Sequence, residues 1–89
     1  KINDMKKHVQ HIISNYTAIF EPAEEGGYVV YIPVLPGCAT QGDTFEEAEI
    51  MAKDAIEGYL ATLQDFKEEI PIEPEHAIIS RIPVAVPVS

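Results

Sequence analysis

Hydrophobic positions recur along this chain with two different periods. From Tyr28 to Val34 the residues are β-branched and aromatic with hardly a polar interruption, the composition of a half-buried strand. From Phe45 to about Lys67 the spacing changes to three and four: Phe45, Ala48, Ala52, Ala55, Ile56, Tyr59, Leu63 and Phe66 form one stripe of a long helix that faces the sheet. Glu46, Glu49, Lys53, Asp54, Glu57 and Asp65 lie mostly off that stripe, while Ile50, Met51 and Leu60 fall partly outside it and mark a second contact surface. Tyr16 to Phe20 predicts a strand that pairs antiparallel with the second across the acidic loop Glu21–Gly27. Asn3 or Asp4 caps a short helix running to about Ile13, with Met5, Val9, Ile12 and Ile13 on one side. His76 to Ile82 reads as a fourth strand, and Pro83 to Ser89 as an extended run hindered by prolines on one side, suited to a sheet edge or a subunit interface.

The joints between these elements are set by special residues. Pro33 and Pro36 lack amide donors and Gly37 tolerates a positive φ, so the second strand must turn near Leu35, Pro36 and Gly37. Cys38 to Gln41 is then a short return strand, with Gly42 permitting a tight, positive-φ exit. Thr44 and Glu47 form a capping box, in which the threonine oxygen accepts the Glu47 amide and Glu47 reaches back to the Thr44 amide. The predicted order is α-β-β-β-α-β in one α+β domain spanning 1–89: an N-terminal helix at 1–14, a three-stranded antiparallel meander at 15–42, the main helix at 43–67 and an edge strand at 76–88.

Charge narrows the partners. Six Lys and Arg against fifteen Asp and Glu leave a net charge of −9, and every acid except Asp4 lies from Glu21 onward. Such a surface repels phosphate backbones and attracts basic partners, so direct nucleic-acid binding by this chain is not expected. The apolar runs are too short for a membrane span and nothing signal-like opens the chain, which points to the cytoplasm. Lys1 stands where an initiator methionine is expected, so a residue or more precedes this numbering. A lone cysteine, Cys38, forms no internal disulfide.

Candidates for chemistry are few. His8 and His11 lie three apart on the first helix, with no third ligand beside them, and read as exposed histidines rather than a metal pair; His76 reads as a strand-end residue. Cys38 has no Lys or Arg within ten residues to lower its thiol pKa. Asp43, Glu46, Glu47 and Glu49 invite a divalent-metal nuclease reading, but capping accounts for Glu47, the turn for Asp43 and a solvated face for Glu46 and Glu49. No phosphate-binding, dinucleotide-binding or paired-cysteine motif is present. The residues therefore favour a binding module over an enzyme, with no cofactor and no metal.

The run from Gly27 to Ala48, GYVVYIPVLPGCATQGDTFEEA, resembles the signature of HicB-type antitoxins: GY, a hydrophobic strand, PxLPGC, TxGxT and EEA. The likeness continues down the helix through Ala52, Ala55 and Leu60. The resemblance implies a partial ribonuclease-H-like fold and an antitoxin that neutralises a HicA-type messenger-RNA interferase, a small basic toxin, with acidic side chains standing at phosphate positions. Val34 departs from the family, whose members often carry an acid there, and the chain ends at Ser89 without the DNA-binding domain that many of them have. Operator binding is therefore not expected of this chain by itself. On this reading Glu21, Glu24, Glu25, Glu49, Asp54 and Glu57 contact the toxin. Ile50, Met51, Leu60, Val84, Val86 and Val88 join copies into homodimers or homotetramers. The rival readings are a self-associating adaptor without a toxin and a metal-dependent nuclease built on Asp43.

Overall fold

A computed structural model describes residues 14–88; the expected N-terminal helix, with His8 and His11, lies outside them. Within that range an antiparallel meander of β1 (Ile19–Pro22), β2 (Tyr28–Tyr31) and β3 (Ala39–Gly42) packs one face against a single helix, α1 (Phe45–Asp65). Ile19 stands opposite Tyr31 and Phe20 opposite Val30, while Val30 stands opposite Thr40 and Tyr31 opposite Ala39. Because successive side chains alternate between faces, Phe20, Tyr28, Val30 and Thr40 point toward α1. Ile19, Val29, Tyr31, Ala39 and Gln41 point away from it.

Two proline turns in tandem connect β2 to β3. Ile32, Pro33, Val34 and Leu35 form the first, closed by the Leu35 amide donating to the Ile32 carbonyl at 3.0 Å. Leu35, Pro36, Gly37 and Cys38 form the second, in which the Cys38 amide donates to the Leu35 carbonyl at 2.9 Å and Gly37 has φ +80°. Proline at the second position and a positive-φ glycine at the third define a type II turn. The Ile32 amide, donating to the Cys38 carbonyl at 3.1 Å, seals the base of the loop. This arrangement buries Ile32, Leu35 and Cys38 beside Val30, Ala48 and Ala52, so the connection supplies half of the buried core. The Tyr59 hydroxyl donates to the Pro36 carbonyl at 2.7 Å and fastens the loop to the helix.

The helix begins as its sequence demands. Thr44 is extended (φ −127°, ψ 166°) and its hydroxyl accepts from the Glu47 amide at 3.0 Å. The other half of the expected box shifts by one residue: the Glu47 carboxylate accepts from the Asp43 amide, not from Thr44. The expected stripe also ends early. Lys67 adopts φ +56°, and the Glu68 and Lys67 amides donate to the Leu63 and Gln64 carbonyls, a Schellman stop that leaves Phe66 72 % exposed. At the other end Phe45 is partly exposed but packs at a tilt against Phe20, ring centroids 4.6 Å apart, and meets Tyr28 edge-on at 5.9 Å.

Three expectations about the strands change. β1 begins at Ile19 rather than Tyr16, because the position opposite Thr17 in this register is Pro33, where β2 already turns; the Thr17 amide donates instead to the Glu73 carboxylate. Gly42 is not in the left-handed region. It is a glycine because a Cβ there would sit 2.5 Å from the Ala48 amide nitrogen and 2.7 Å from its Cα, the closest approach of helix to sheet. The expected fourth strand over 76–88 does not form: residues 77–88 carry no regular structure, and the sheet has three strands among the described residues. Pro83 and Pro87 remove two amide donors there, and the segment pairs with neither edge of its own sheet.

Two consequences are testable. Gly42→Ala drives a methyl into helix backbone and is expected to cost more than ~2 kcal/mol, whereas Gly58→Ala, with open space at its Cβ inside an exposed helix, is expected to add ~0.5–1 kcal/mol. Urea unfolding of both variants gives opposite signs if the packing is correct. Burial raises the pKa of the Cys38 thiol above its ordinary value. The folded state then favours the protonated thiol, so stability is level below pH 9 and falls as the unfolded thiol ionises above it. Alkylation at pH 8 is expected to run at least about tenfold slower for the folded than for the urea-unfolded chain.

Candidate functional site

The register places the acidic residues in two groups. Glu24 and Glu25 occupy the β1–β2 turn, which the Ala23 amide closes on the Gly27 carbonyl and the Gly26 amide on the Ala23 carbonyl, both at 3.0 Å. Gly27 abuts the start of the helix: a Cβ there would lie 2.5 Å from the Gly42 carbonyl oxygen and 3.2 Å from the Asp43 Cα. The hairpin tip and the head of α1 therefore share one end of the molecule, where Glu24, Glu25, Asp43, Glu46 and Glu47 are all exposed. Asp54 and Glu57 stand two to three turns further along the helix, about 12–17 Å from Glu46 at 1.5 Å per residue. Glu49 lies between the groups, and Glu21 is exposed on the sheet face turned away from the helix. Of the six acids expected to contact a partner, the fold gathers Glu24 and Glu25 at the acidic end and leaves Glu21, Asp54 and Glu57 apart.

Among the described residues nothing basic interrupts this surface nearby. From Glu21 to Glu75 the only cations are Lys53, one turn beyond Glu49, and Lys67, past the end of the helix. The Glu47 carboxylate is already engaged on the Asp43 amide and caps the chain entering α1. Among the described residues no three His, Cys, Asp or Glu side chains are grouped so as to hold a metal ion. The arrangement is a negative potential on an exposed end, suited to a basic surface.

The apolar residues expected to join copies divide in the same way. Ile50 is 69 % and Met51 40 % exposed on the outer helix face, whereas Leu60 packs against the core. Val84, Val86 and Val88 are largely exposed, standing beyond the turn at Pro74–Ala77. Two features escaped sequence reasoning. Glu73 accepts from both the Thr17 amide and the Thr17 hydroxyl (2.7 Å to the latter), and the Tyr16 hydroxyl donates to the Pro71 carbonyl at 2.7 Å. Residues 71–73 are thereby strapped beside the entry to β1, and nothing local in an acidic, proline-punctuated connection announces it. The second is the bare outer sheet face, where Ile19 and Tyr31 are each 42 % exposed; strict alternation along β1 and β2 would have revealed it. Among the described residues no helix is long and apolar enough to cross a membrane.

Comparison with known proteins finds a family and several relatives for this chain. The family described as HicB-like antitoxin of bacterial toxin-antitoxin system matches residues 16–82. A UPF0150 protein of Thermoplasma acidophilum is 50 % identical over 56 residues, covering 63 % of this chain and 81 % of that protein. Another UPF0150 protein, from Synechocystis, is 40 % identical over 74 residues, 83 % of this chain and 91 % of its own length. The protein called Antitoxin HicB 1 of Photorhabdus laumondii is 46 % identical over 63 residues, 68 % of this chain but 41 % of that longer protein. The matched span runs from the entry of β1 through the tandem proline turns and α1 to the strap at 71–73 and beyond, and on it the chain belongs to the HicB-like antitoxin family.

Proposed function

We propose that this chain neutralises a HicA-type messenger-RNA interferase by direct protein contact, without catalysis of its own, in the cytoplasm where such a toxin would meet its substrate. The observation that carries the reading is the acidic end formed by Glu24 and Glu25 of the hairpin and Asp43 and Glu46 of the helix head, on a chain of net charge −9. A ribonuclease must bind a polyanion, so its working face is basic, and a carboxylate-rich surface competes for the same positions. Opposite potentials also speed the encounter and fix its register. Glu49, Asp54 and Glu57 extend the negative surface along the helix and would act as steering charges rather than as close contacts.

The chain also associates with itself in this proposal, as a homodimer or homotetramer. The six buried apolar residues among those described make a small core, while Ile50, Met51 and the run from Ile78 to Val88 expose more large apolar side chains than that core contains. A second copy is the simplest way to cover them.

The decisive experiment is coexpression with the product of any small basic reading frame adjacent to its gene, followed by an RNA-cleavage assay with and without this chain. A stable complex that silences cleavage is the expected result; cleavage unaffected by this chain would remove the antitoxin assignment and leave a self-associating adaptor. Reversal of Glu24 and Glu25 to Lys should weaken the complex by about tenfold or more at low salt, with the loss shrinking as ionic strength rises. Affinity unchanged by the reversal would move the contact elsewhere.

A further inference from the structure

We infer that residues 80–88 form an exchanged arm that pairs as an added strand on the β3 edge of a second copy. The inference rests on the self-association proposed above and not on toxin binding. The segment stands away from its own body: every residue from Pro74 to Val88 is exposed, Ile78 at 90 % and Val88 at 92 %. The radius of gyration is 17.5 Å, against about 12 Å for a compact chain of this length.

The arm's sequence is written for one-sided pairing. In an extended strand the N–H and C=O of alternate residues point to opposite edges. Pro83 and Pro87 share one edge and blunt it by removing two donors, while Ile82, Val84, Val86 and Val88 keep every donor on the other. That combination makes a terminal strand, able to join a sheet and unable to extend it further. The same four residues also share a side-chain face, and every one of them is apolar.

The β3 edge fits this arm. Since Ile32 and Cys38 are hydrogen-bonded, the antiparallel alternation turns Thr40 and Gly42 toward β2 and leaves the amides and carbonyls of Ala39 and Gln41 on the open side. The β1 edge is less available, since Pro22 stands on its outward side and removes a donor there. An antiparallel arm hydrogen-bonding to Ala39 and Gln41 places its valines on the same face as those residues. That is the bare outer face, where Ile19 and Tyr31 are exposed. The same direction carries Arg81 toward Asp43 and Glu46, whereas a parallel arm carries it away. From His76 to Val88 the arm holds no acid and only Arg81 as a fixed charge, so its electrostatics favour an acidic surface such as this chain's own over a basic toxin.

Proline substitution in the full chain tests the edge assignment. By sedimentation, Val84→Pro and Val86→Pro, which each remove a donor from the intact edge, are expected to raise the dimer dissociation constant at least about tenfold. Ala85→Pro, on the edge already blunted, is expected to change it less than about twofold. Amide exchange at Ala39 and Gln41 should slow in the dimer and recover in Val84→Pro. A monomer at high micromolar concentration overturns both this inference and the self-association beneath it. A dimer indifferent to Val84→Pro and Val86→Pro, or weakened equally by Ala85→Pro, overturns the arm alone, as does a dimer whose Ala39 and Gln41 amides exchange freely.

Discussion

Helix and sheet in this protein meet through small residues. Gly42 lies against the Ala48 backbone, with Ala48 and Ala52 buried behind it, and no side chain larger than a hydrogen atom can stand at the point of contact. Interiors tolerate neither voids nor overlap. A backbone-to-backbone approach this short therefore fixes where α1 sits on β3, and with it the positions of Phe45, Ile56 and Tyr59 along the sheet. The charged end follows from the same contact: Gly27 is drawn against Gly42 and Asp43, which sets the hairpin acids beside the helix acids.

A close-packed but small core has a further consequence. Val30, Ile32, Leu35, Cys38, Ala48 and Ala52 are the buried apolar residues, and half of them come from the tandem proline turns rather than from a strand or helix. The turns are thus part of the hydrophobic interior as well as a connection, and Tyr59 binds them to the helix by its hydroxyl. Apolar surface in the arm and on the outer sheet face remains in contact with water, a cost that burial at ~25 cal/mol per Å² would relieve. An acidic end and a bare apolar face on one small body give it two surfaces of different chemistry.

What the sequence determined by itself was local. Pro36 and Gly37 dictate a type II turn, Thr44 and Glu47 dictate a helix start, and the three-and-four spacing from Phe45 onward dictates an amphipathic helix, because each depends on near neighbours along the chain. The signature from Gly27 to Ala48 was legible for the same reason, and it carried the family. Tertiary structure decided what depends on distant pairs: that Gly42 answers to Ala48 rather than to its own φ, that Glu73 takes the amide Pro33 leaves without a ladder partner, and that 76–88 finds no strand within its own chain. Alternating valines predict a strand's shape, but a strand exists only where another supplies the facing donors and acceptors, and no pattern within one chain states where that edge will be.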